Sequence, residues 1–120
     1  MIAELARGGR PVVLTVDDEV GVRESFRQVL QDECDILEAT ESASALAQLQ
    51  SHEVDLVLLD VRLPGETGLE LLDRIKALED SVEVILVTAV REVRTAVEAI
   101  KRGAYDYVVK PFDVDEMLAL

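Results

Sequence analysis

Five short apolar segments alternate with longer amphipathic ones along this chain, and this alternation most limits its possible folds. The apolar segments are rich in Val, Ile and Leu and cover residues 12–16, 35–39, 54–59, 83–87 and 105–109. Runs of this length and composition are typical of strands that are buried on both faces of a sheet. The sequence therefore predicts a doubly wound α/β domain with a five-stranded parallel sheet.

The segments between these runs carry apolar residues three or four positions apart, which is the spacing of one helix face. These residues are Val22, Phe26, Val29 and Leu30, then Ala45, Leu46 and Leu49, then Leu71, Leu72, Ile75 and Leu78, and finally Val93, Ala96, Val97 and Ile100. Ser42 is the predicted N-cap of the second helix, and the third helix is predicted to begin near Thr67 or Gly68. Gly103, which follows two basic residues, predicts the end of the fourth helix.

A fifth helix is predicted to begin at Asp113, after which only seven residues remain. Because the mean α-helix has about 11 to 12 residues, we expect this helix to be truncated and the chain to be a piece of a longer protein. Residues 1–10 are predicted to form an N-terminal lead-in and residues 11–120 a single domain.

Composition excludes several classes of partner. The chain has 12 Lys and Arg residues against 25 Asp and Glu, a formal net charge of −13. Such a charge disfavours direct binding to nucleic acid or to anionic lipid, because both interactions depend on Lys and Arg. No apolar stretch approaches the ~20 residues of a membrane span. The single cysteine, Cys34, cannot form an internal disulfide, which fits a reducing compartment, and we expect a cytoplasmic protein.

Polar residues follow four of the five predicted strands. Asp17 and Asp18 follow the first, Asp60 the third, Thr88 the fourth and Lys110 the fifth. Parallel strands place their carboxyl ends at one rim of the sheet, where ligands bind in open α/β folds. Carboxylates crowded there repel one another unless a cation is present, and an all-oxygen set suits Mg²⁺ or Mn²⁺. Together with a lysine and a threonine hydroxyl, the set indicates phosphoryl transfer to or from a carboxylate.

The same positions carry a family resemblance. The motifs are VDDE at residues 16–19, LLDVRLPGETG at 58–68, VTA at 87–89 and YDYVVKPF at 105–112. In this order and on these strand ends, they resemble the receiver domains of two-component response regulators. The resemblance implies a flavodoxin-like (βα)5 fold with strand order 2-1-3-4-5.

The resemblance also implies a role for each site residue. Asp60 matches the family's phosphoacceptor, and Asp17 and Asp18 match the acidic pair that holds Mg²⁺, with Asp60 and the backbone carbonyl of Arg62 as further ligands. Thr88 and Lys110 match the residues that bind the phosphoryl oxygens, and Tyr107 matches the aromatic switch residue. The bond between Lys110 and Pro111 is expected to be cis.

A narrower resemblance, to the receivers of sigma-54-dependent enhancer-binding activators, comes from residues 90–117, VREVRTAVEAIKRGAYDYVVKPFDVDEM. It implies a cytoplasmic signalling domain that takes a phosphoryl group from a sensor histidine kinase or a phosphotransfer protein. The domain would switch an output domain beyond residue 120, with transcriptional control as the expected output. It would catalyse its own phosphorylation and dephosphorylation without being an enzyme that turns over a free substrate. A homodimer through the fourth helix, fifth strand and fifth helix is expected.

Two other functions remain open from the residues alone. A Mg²⁺-dependent phosphatase or hydrolase on a similar sheet would place a second acid two residues after its catalytic aspartate, whereas position 62 is Arg. A receiver-like interaction module that is not phosphorylated would be expected to lack part of the acidic, threonine and lysine set, which is complete here.

Four further residues have simpler or more specific readings. His52 is expected to be a surface residue at the end of the second helix, and Tyr105 is expected to be a packing residue. Arg62 and Val90 each lie two residues beyond a site residue. Since Val90 cannot orient a water molecule and Arg62 can reach a phosphoryl oxygen, we predict slow self-dephosphorylation, over minutes to hours.

Overall fold

The computed structural model describes Leu5 and residues 9–111, without the side chain of Val90. Its five main strands are β1 (Val12–Val16), β2 (Asp35–Ala39), β3 (Leu56–Asp60), β4 (Glu83–Thr88) and β5 (Asp106–Val109). The helices are α1 (Val20–Leu30), α2 (Ser42–Ser51), α3 (Gly68–Leu78) and α4 (Val93–Lys101), and a 3₁₀ turn, Val90–Glu92, precedes α4. Two short strands, Arg62–Leu63 and Glu66–Thr67, form a hairpin between β3 and α3. The fifth helix predicted from Asp113 lies outside the described residues.

The five strands form one parallel sheet in the order β2-β1-β3-β4-β5, which confirms the predicted fold class and strand order. Strand β3 begins two residues later than the sequence predicts. The Asp55 carboxylate at that point accepts a hydrogen bond from the Val12 N–H at 2.8 Å, so Asp55 ties the two strand starts together by its side chain.

Both faces of the sheet are covered by a hydrophobic layer. One layer contains Leu14, Leu59 and Leu72 and lies beneath α2, α3 and α4. The other contains Leu58 and Phe26 and lies beneath α1. Successive residues of β3, Leu58 and Leu59, thus point into opposite layers, which is why the strand sequence is apolar throughout. The order of elements places the carboxyl ends of β1, β3 and β4 side by side at the middle of the sheet.

Two details of the predicted helices are wrong. The N-cap of α2 is Glu41 instead of Ser42, and the Glu41 N–H donates to the Ser44 hydroxyl at 3.4 Å. In α4, only part of the predicted apolar stripe lies on the buried face: Ala96 is buried, but Val97 is 43% exposed and Ile100 38% exposed.

The buried residues of α4 are Ala96 and Ala99. Their small side chains let the helix lie close to the layer beneath it, and the larger apolar residues are therefore left at its margin. Tyr105, which is expected to be a packing residue, lies just before β5 and is 48% exposed. No helix in the described part of the chain is long and apolar enough to span a lipid bilayer.

Candidate phosphorylation site

The carboxyl ends of four strands bring the predicted site residues to one rim of the sheet. Asp60 is the last residue of β3 and Thr88 the last residue of β4, while Asp17 directly follows β1 and Lys110 directly follows β5. Asp17 and Asp60 are only 2% and 7% exposed, and Thr88 is also buried. Polar side chains buried at adjacent strand ends are unusual in a core and mark this rim as the candidate site.

Four carboxylates form an acidic cluster at this rim: Asp17, Asp18, Glu19 and Asp60. One oxygen from each residue lies within 4.8 Å of the others. A set composed only of carboxylate oxygens fits a hard divalent cation such as Mg²⁺, which prefers oxygen ligands. Glu19 is an addition to the predicted set, and the third acidic residue in the motif VDDE was the available signal for it. Its N–H donates to Asp17 Oδ1 at 2.9 Å and so orients that carboxylate.

The Lys110 ammonium group reaches into the acidic cluster. Its Nζ lies 3.4 Å from Asp17 Oδ2, 3.7 Å from Asp60 Oδ2 and 3.8 Å from Glu19 Oε1. The Lys110 N–H also donates to the Thr88 carbonyl at 2.7 Å, which fixes the backbone that carries the side chain. The peptide bond between Lys110 and Pro111 is cis, as the family resemblance implies.

Burial dominates the electrostatics of the two interior carboxylates. The pKa of Asp60 is raised from its usual 3.8 to about 6, chiefly by removal from water and in addition by the neighbouring charge of Asp17. The Arg62 N–H, which donates to Asp60 Oδ1 at 3.1 Å, and the Lys110 ammonium act in the opposite direction. Burial likewise raises the pKa of Asp17. One lysine therefore only partly offsets the cost of holding several negative charges in this rim, and a cation would be favoured there.

Thr88 and Tyr107, which are the predicted switch residues, lie on the adjacent strands β4 and β5. The Thr88 hydroxyl donates to the Ala89 carbonyl at 3.0 Å. The Tyr107 side chain is half-buried and packs against the hydrophobic layer beneath α4, with its residue paired to Leu86 in the adjacent strand. The Thr88 hydroxyl therefore already donates a hydrogen bond to the backbone. An oxygen atom of a group bound at Asp60 would have to compete with the Ala89 carbonyl for this hydrogen bond.

Gly68, at the start of α3, is a residue that sequence reasoning placed but did not explain. A Cβ atom at this position would lie 2.8 Å from the Asp60 carbonyl oxygen and 2.8 Å from the Val61 Cα. The Gly68 N–H donates to the Val61 carbonyl at 2.7 Å. The close approach of two backbones behind Asp60 thus requires glycine at position 68. The sequence feature that could have indicated this close approach is the glycine directly after Thr67. Thr67 is the N-cap of α3, and its hydroxyl accepts a hydrogen bond from the Glu70 N–H at 3.2 Å.

A groove of about 790 Å³ opens beside Asp60, between the hairpin and the start of α4. Asp18, Arg62 and Glu92 are among its lining residues. The Arg62 side chain was predicted to reach across the site, but its Nε donates to Glu92 Oε1 at 2.6 Å. Glu92 is therefore a second residue that the sequence reasoning missed. It lies 30 positions from its partner, and no local pattern indicates the pair.

Two other residues lie away from this rim, and His52 does so as predicted. Cys34 is buried near the start of β2. His52 is exposed at the C-terminal end of α2, where its Nδ1 lies 3.3 Å from the Gln48 carbonyl oxygen.

Comparison with known proteins gives the same family as the motifs. Residues 13–120 match the family model described as the response regulator receiver domain. The chain is 40% identical to the regulatory protein AtoC of Escherichia coli K12 over 110 residues, which are 88% of this chain and 23% of AtoC. It is 36% identical to sporulation initiation phosphotransferase F of Bacillus subtilis over 106 residues, 88% of this chain and 86% of that protein.

A solved structure agrees with these matches. The crystal structure of the receiver domain of NtrX from Brucella abortus superimposes with a TM-score of 0.85 at 39% identity, covering 89% of this chain and 92% of that one. The chain spans about a quarter of the length of AtoC. Because AtoC is among its relatives, the narrower resemblance to receivers of sigma-54-dependent activators is confirmed. The chain belongs to the receiver domains of response regulators, the phosphoryl-accepting domains of two-component signalling.

Proposed function

We propose that Asp60 is the residue of this receiver that accepts the phosphoryl group. The observation that carries the proposal is its position: it ends the central strand β3, is nearly buried, and shares one rim with three other carboxylates and Lys110. With a pKa of about 6, the Asp60 carboxylate is mostly ionised at neutral pH and is a competent nucleophile.

In the proposed transfer from a histidine kinase, an Asp60 carboxylate oxygen forms a bond to phosphorus. The bond between phosphorus and the kinase imidazole nitrogen breaks, and the electron pair returns to that nitrogen. Lys110 lies close enough to the Asp60 carboxylate to pair with an incoming phosphoryl oxygen, and Thr88 offers a hydroxyl proton from the adjacent strand. Tyr107 would change its orientation when Thr88 turns towards the phosphoryl group.

We assign Asp17, Asp18 and Asp60, with the backbone carbonyl of Arg62, as the residues that would hold Mg²⁺ or Mn²⁺. The metal, when bound, would supply positive charge that offsets both the carboxylates and the phosphoryl oxygens. Asp17 is oriented for this role by the Glu19 N–H, and its backbone carbonyl accepts a 2.6 Å hydrogen bond from the Arg23 guanidinium. The acidic loop is therefore anchored to α1 before any ligand arrives.

We infer the following partners and context from the family. A sensor histidine kinase or a phosphotransfer protein supplies the phosphoryl group, and an attached output domain, which we expect to control transcription, responds to it. The protein is cytoplasmic, residues 11–120 form its receiver domain, and it turns over no free substrate beyond its own phosphorylation and dephosphorylation. Exposed Val97, Ile100 and Tyr105 support self-association through α4, β5 and the fifth helix.

The test is to incubate the chain with Mg²⁺ and a small acyl phosphate or phosphoramidate and to measure the intact mass. One added phosphoryl group is expected in the parent and in Asp73→Asn, a matched change at an exposed aspartate of α3 that pairs with Arg102. No addition is expected in Asp60→Asn. Equal phosphorylation of Asp60→Asn and the parent would place the acceptor elsewhere.

A further inference from the structure

An ion pair crosses the groove beside Asp60 and joins two loops of the proposed site. The Arg62 Nε donates to Glu92 Oε1 at 2.6 Å, and the Arg62 Nη2 also contacts this oxygen. Arg62 lies two residues after Asp60, and its backbone N–H donates to Asp60 Oδ1 at 3.1 Å. Glu92 ends the 3₁₀ turn that leads into α4. The pair therefore connects the backbone around Asp60 with the start of α4.

The two partners differ in how firmly they are held. The Glu92 side chain is only 16% exposed, whereas that of Arg62 is 68% exposed. Glu92 is also the N-cap residue of α4, where the helix dipole favours a negative charge. A second cation, Arg91, has its Nε 3.8 Å from the same Glu92 oxygen. Arg62 can thus leave the pair without leaving Glu92 unsatisfied, and Arg62 is the partner that is free to move.

A phosphoryl group on Asp60 would give Arg62 a competing partner. It carries more negative charge than a carboxylate, and guanidinium groups bind phosphoryl oxygens with two parallel hydrogen bonds. We propose that Glu92 is a positioning residue that holds the Arg62 guanidinium back from Asp60 and thereby sets the lifetime of the phosphorylated state. This inference rests on the proposed assignment of Asp60 as the phosphoacceptor.

The step that is controlled is hydrolysis of the acyl phosphate. A water oxygen forms a bond to phosphorus, the bond from phosphorus to the Asp60 oxygen breaks, and the electron pair returns to the Asp60 carboxylate. The attacking water loses one proton to solvent as inorganic phosphate is released. That water must approach in line with the breaking bond. Arg62 bound to the phosphoryl group lies over this approach, whereas Arg62 bound to Glu92 leaves the approach open.

The experiment measures the decay of phosphorylated protein after removal of a small phosphodonor, in constant Mg²⁺. Glu92→Gln is expected to slow the decay roughly threefold. A partly exposed ion pair contributes little free energy, and a correspondingly small change in the activation barrier changes the rate by about this factor. Arg62→Ala is expected to accelerate the decay. In the double variant, Glu92→Gln is expected to have no further effect, since Glu92 acts through Arg62.

Glu66→Gln is the matched control. Glu66 lines the same groove, but it pairs with Arg74 at 2.9 Å. The phosphorylated Glu66→Gln variant is therefore expected to decay at the same rate as the phosphorylated parent. Glu92→Asp keeps the charge on a shorter side chain, and an intermediate rate is expected. The inference is overturned if Glu92→Gln decays like the parent or faster, if it has the same effect without Arg62, or if Glu66→Gln reproduces its effect.

The two proposals fail in different ways. A parent chain that is not phosphorylated on Asp60 refutes the proposed function and this inference with it. A parent that is phosphorylated normally, with a decay rate that does not respond to Glu92→Gln, refutes only the role of Glu92.

Discussion

The two ends of the parallel sheet treat charge in opposite ways. At the carboxyl ends of the strands, four carboxylates share a small volume with Lys110 as their nearby cation. At the amino ends, charged groups are matched with partners: the Asp55 carboxylate accepts from the Val12 N–H, and the Lys76 ammonium donates to the Val82 carbonyl at 2.6 Å. The same strands run from one end of the sheet to the other. The difference in how charge is paired therefore comes from the side chains at each end and not from the backbone alone.

The amino end of the sheet stabilises the fold, whereas the carboxyl end holds like charges whose repulsion a bound cation would relieve. Like charges in a buried rim lower stability when no ligand is bound. Paired groups at the opposite end contribute stability and need no ligand. Substitutions should therefore change stability with opposite signs at the two ends, apart from those that disturb the backbone itself.

The largest effect is expected from such a backbone position, Gly68. In Gly68→Ala, the added methyl group would meet the Asp60 carbonyl oxygen and the Val61 Cα at 2.8 Å. Both are backbone atoms, so the loop behind Asp60 must move. We expect a loss of about 2 to 4 kcal/mol in the free energy of unfolding, in the range of overpacked sites, together with reduced phosphorylation.

Urea unfolding followed by far-UV circular dichroism would measure this loss, because the chain has no tryptophan. Gly21→Ala in α1 is the control, since nothing lies within 4 Å of its added methyl group. Alanine there is expected to leave stability unchanged or to raise it by up to about 1 kcal/mol. Similar losses in both variants would contradict the close approach at Gly68.

The next effect has the opposite sign and comes from Asp60→Asn. Because burial raises the pKa of Asp60 from 3.8 to about 6, keeping this group ionised at neutral pH costs the folded state up to about 3 kcal/mol. Asparagine has no charge to bury, so we expect the variant to be about 1 to 3 kcal/mol more stable than the parent at pH 7 in the presence of a chelator.

The pH dependence gives the sign a separate check. Between pH 4 and the folded pKa of about 6, the folded parent retains a proton that the unfolded chain has lost. Its stability therefore falls as the pH rises through this window, and the advantage of Asp60→Asn grows in the same window. Added Mg²⁺ should reduce the difference by stabilising the parent. An advantage that is constant from pH 4 to pH 7 would rule out ionisation of Asp60 as its cause.

The sequence predicted the fold well, because strand and helix periodicity is a local property. The alternation of apolar runs predicted the strands, and the polar residues just after them predicted the rim where the candidate site residues meet. Where the fold brings distant segments together, the same reasoning had no signal. Glu92 and Arg62 are paired across 30 positions, and the contact behind Gly68 depends on how closely α3 approaches β3.

The errors in α4 have a related physical cause. Periodicity predicts which residues share a helix face, but alanine is nearly neutral in such a pattern. The buried face of α4 is centred on Ala96 and Ala99; the predicted stripe included Ala96 but not Ala99, and its larger members Val97 and Ile100 are exposed. The exposed apolar residues of α4 are then available to contact another surface.

The smallest of these effects is expected at the amino end of the sheet, from Arg10. Its guanidinium donates to the carbonyl oxygens of Asp32 at 2.9 Å and Cys34 at 2.8 Å, and to Asp35 Oδ1 at 3.0 Å. It thus satisfies carbonyl groups left without helical partners after α1. Since the side chain is 48% exposed, water can replace part of this bonding, and we expect Arg10→Ala to lose about 1 kcal/mol of stability.

Arg10→Lys should recover little of the loss, because an ammonium group cannot reach three acceptors in the planar geometry of the fork. Phosphorylation of Asp60 should be unchanged in both variants, since Arg10 lies at the opposite end of the strands. A defect in phosphorylation without a loss of stability would show that the two ends of the sheet are coupled, and the comparison between them would then fail.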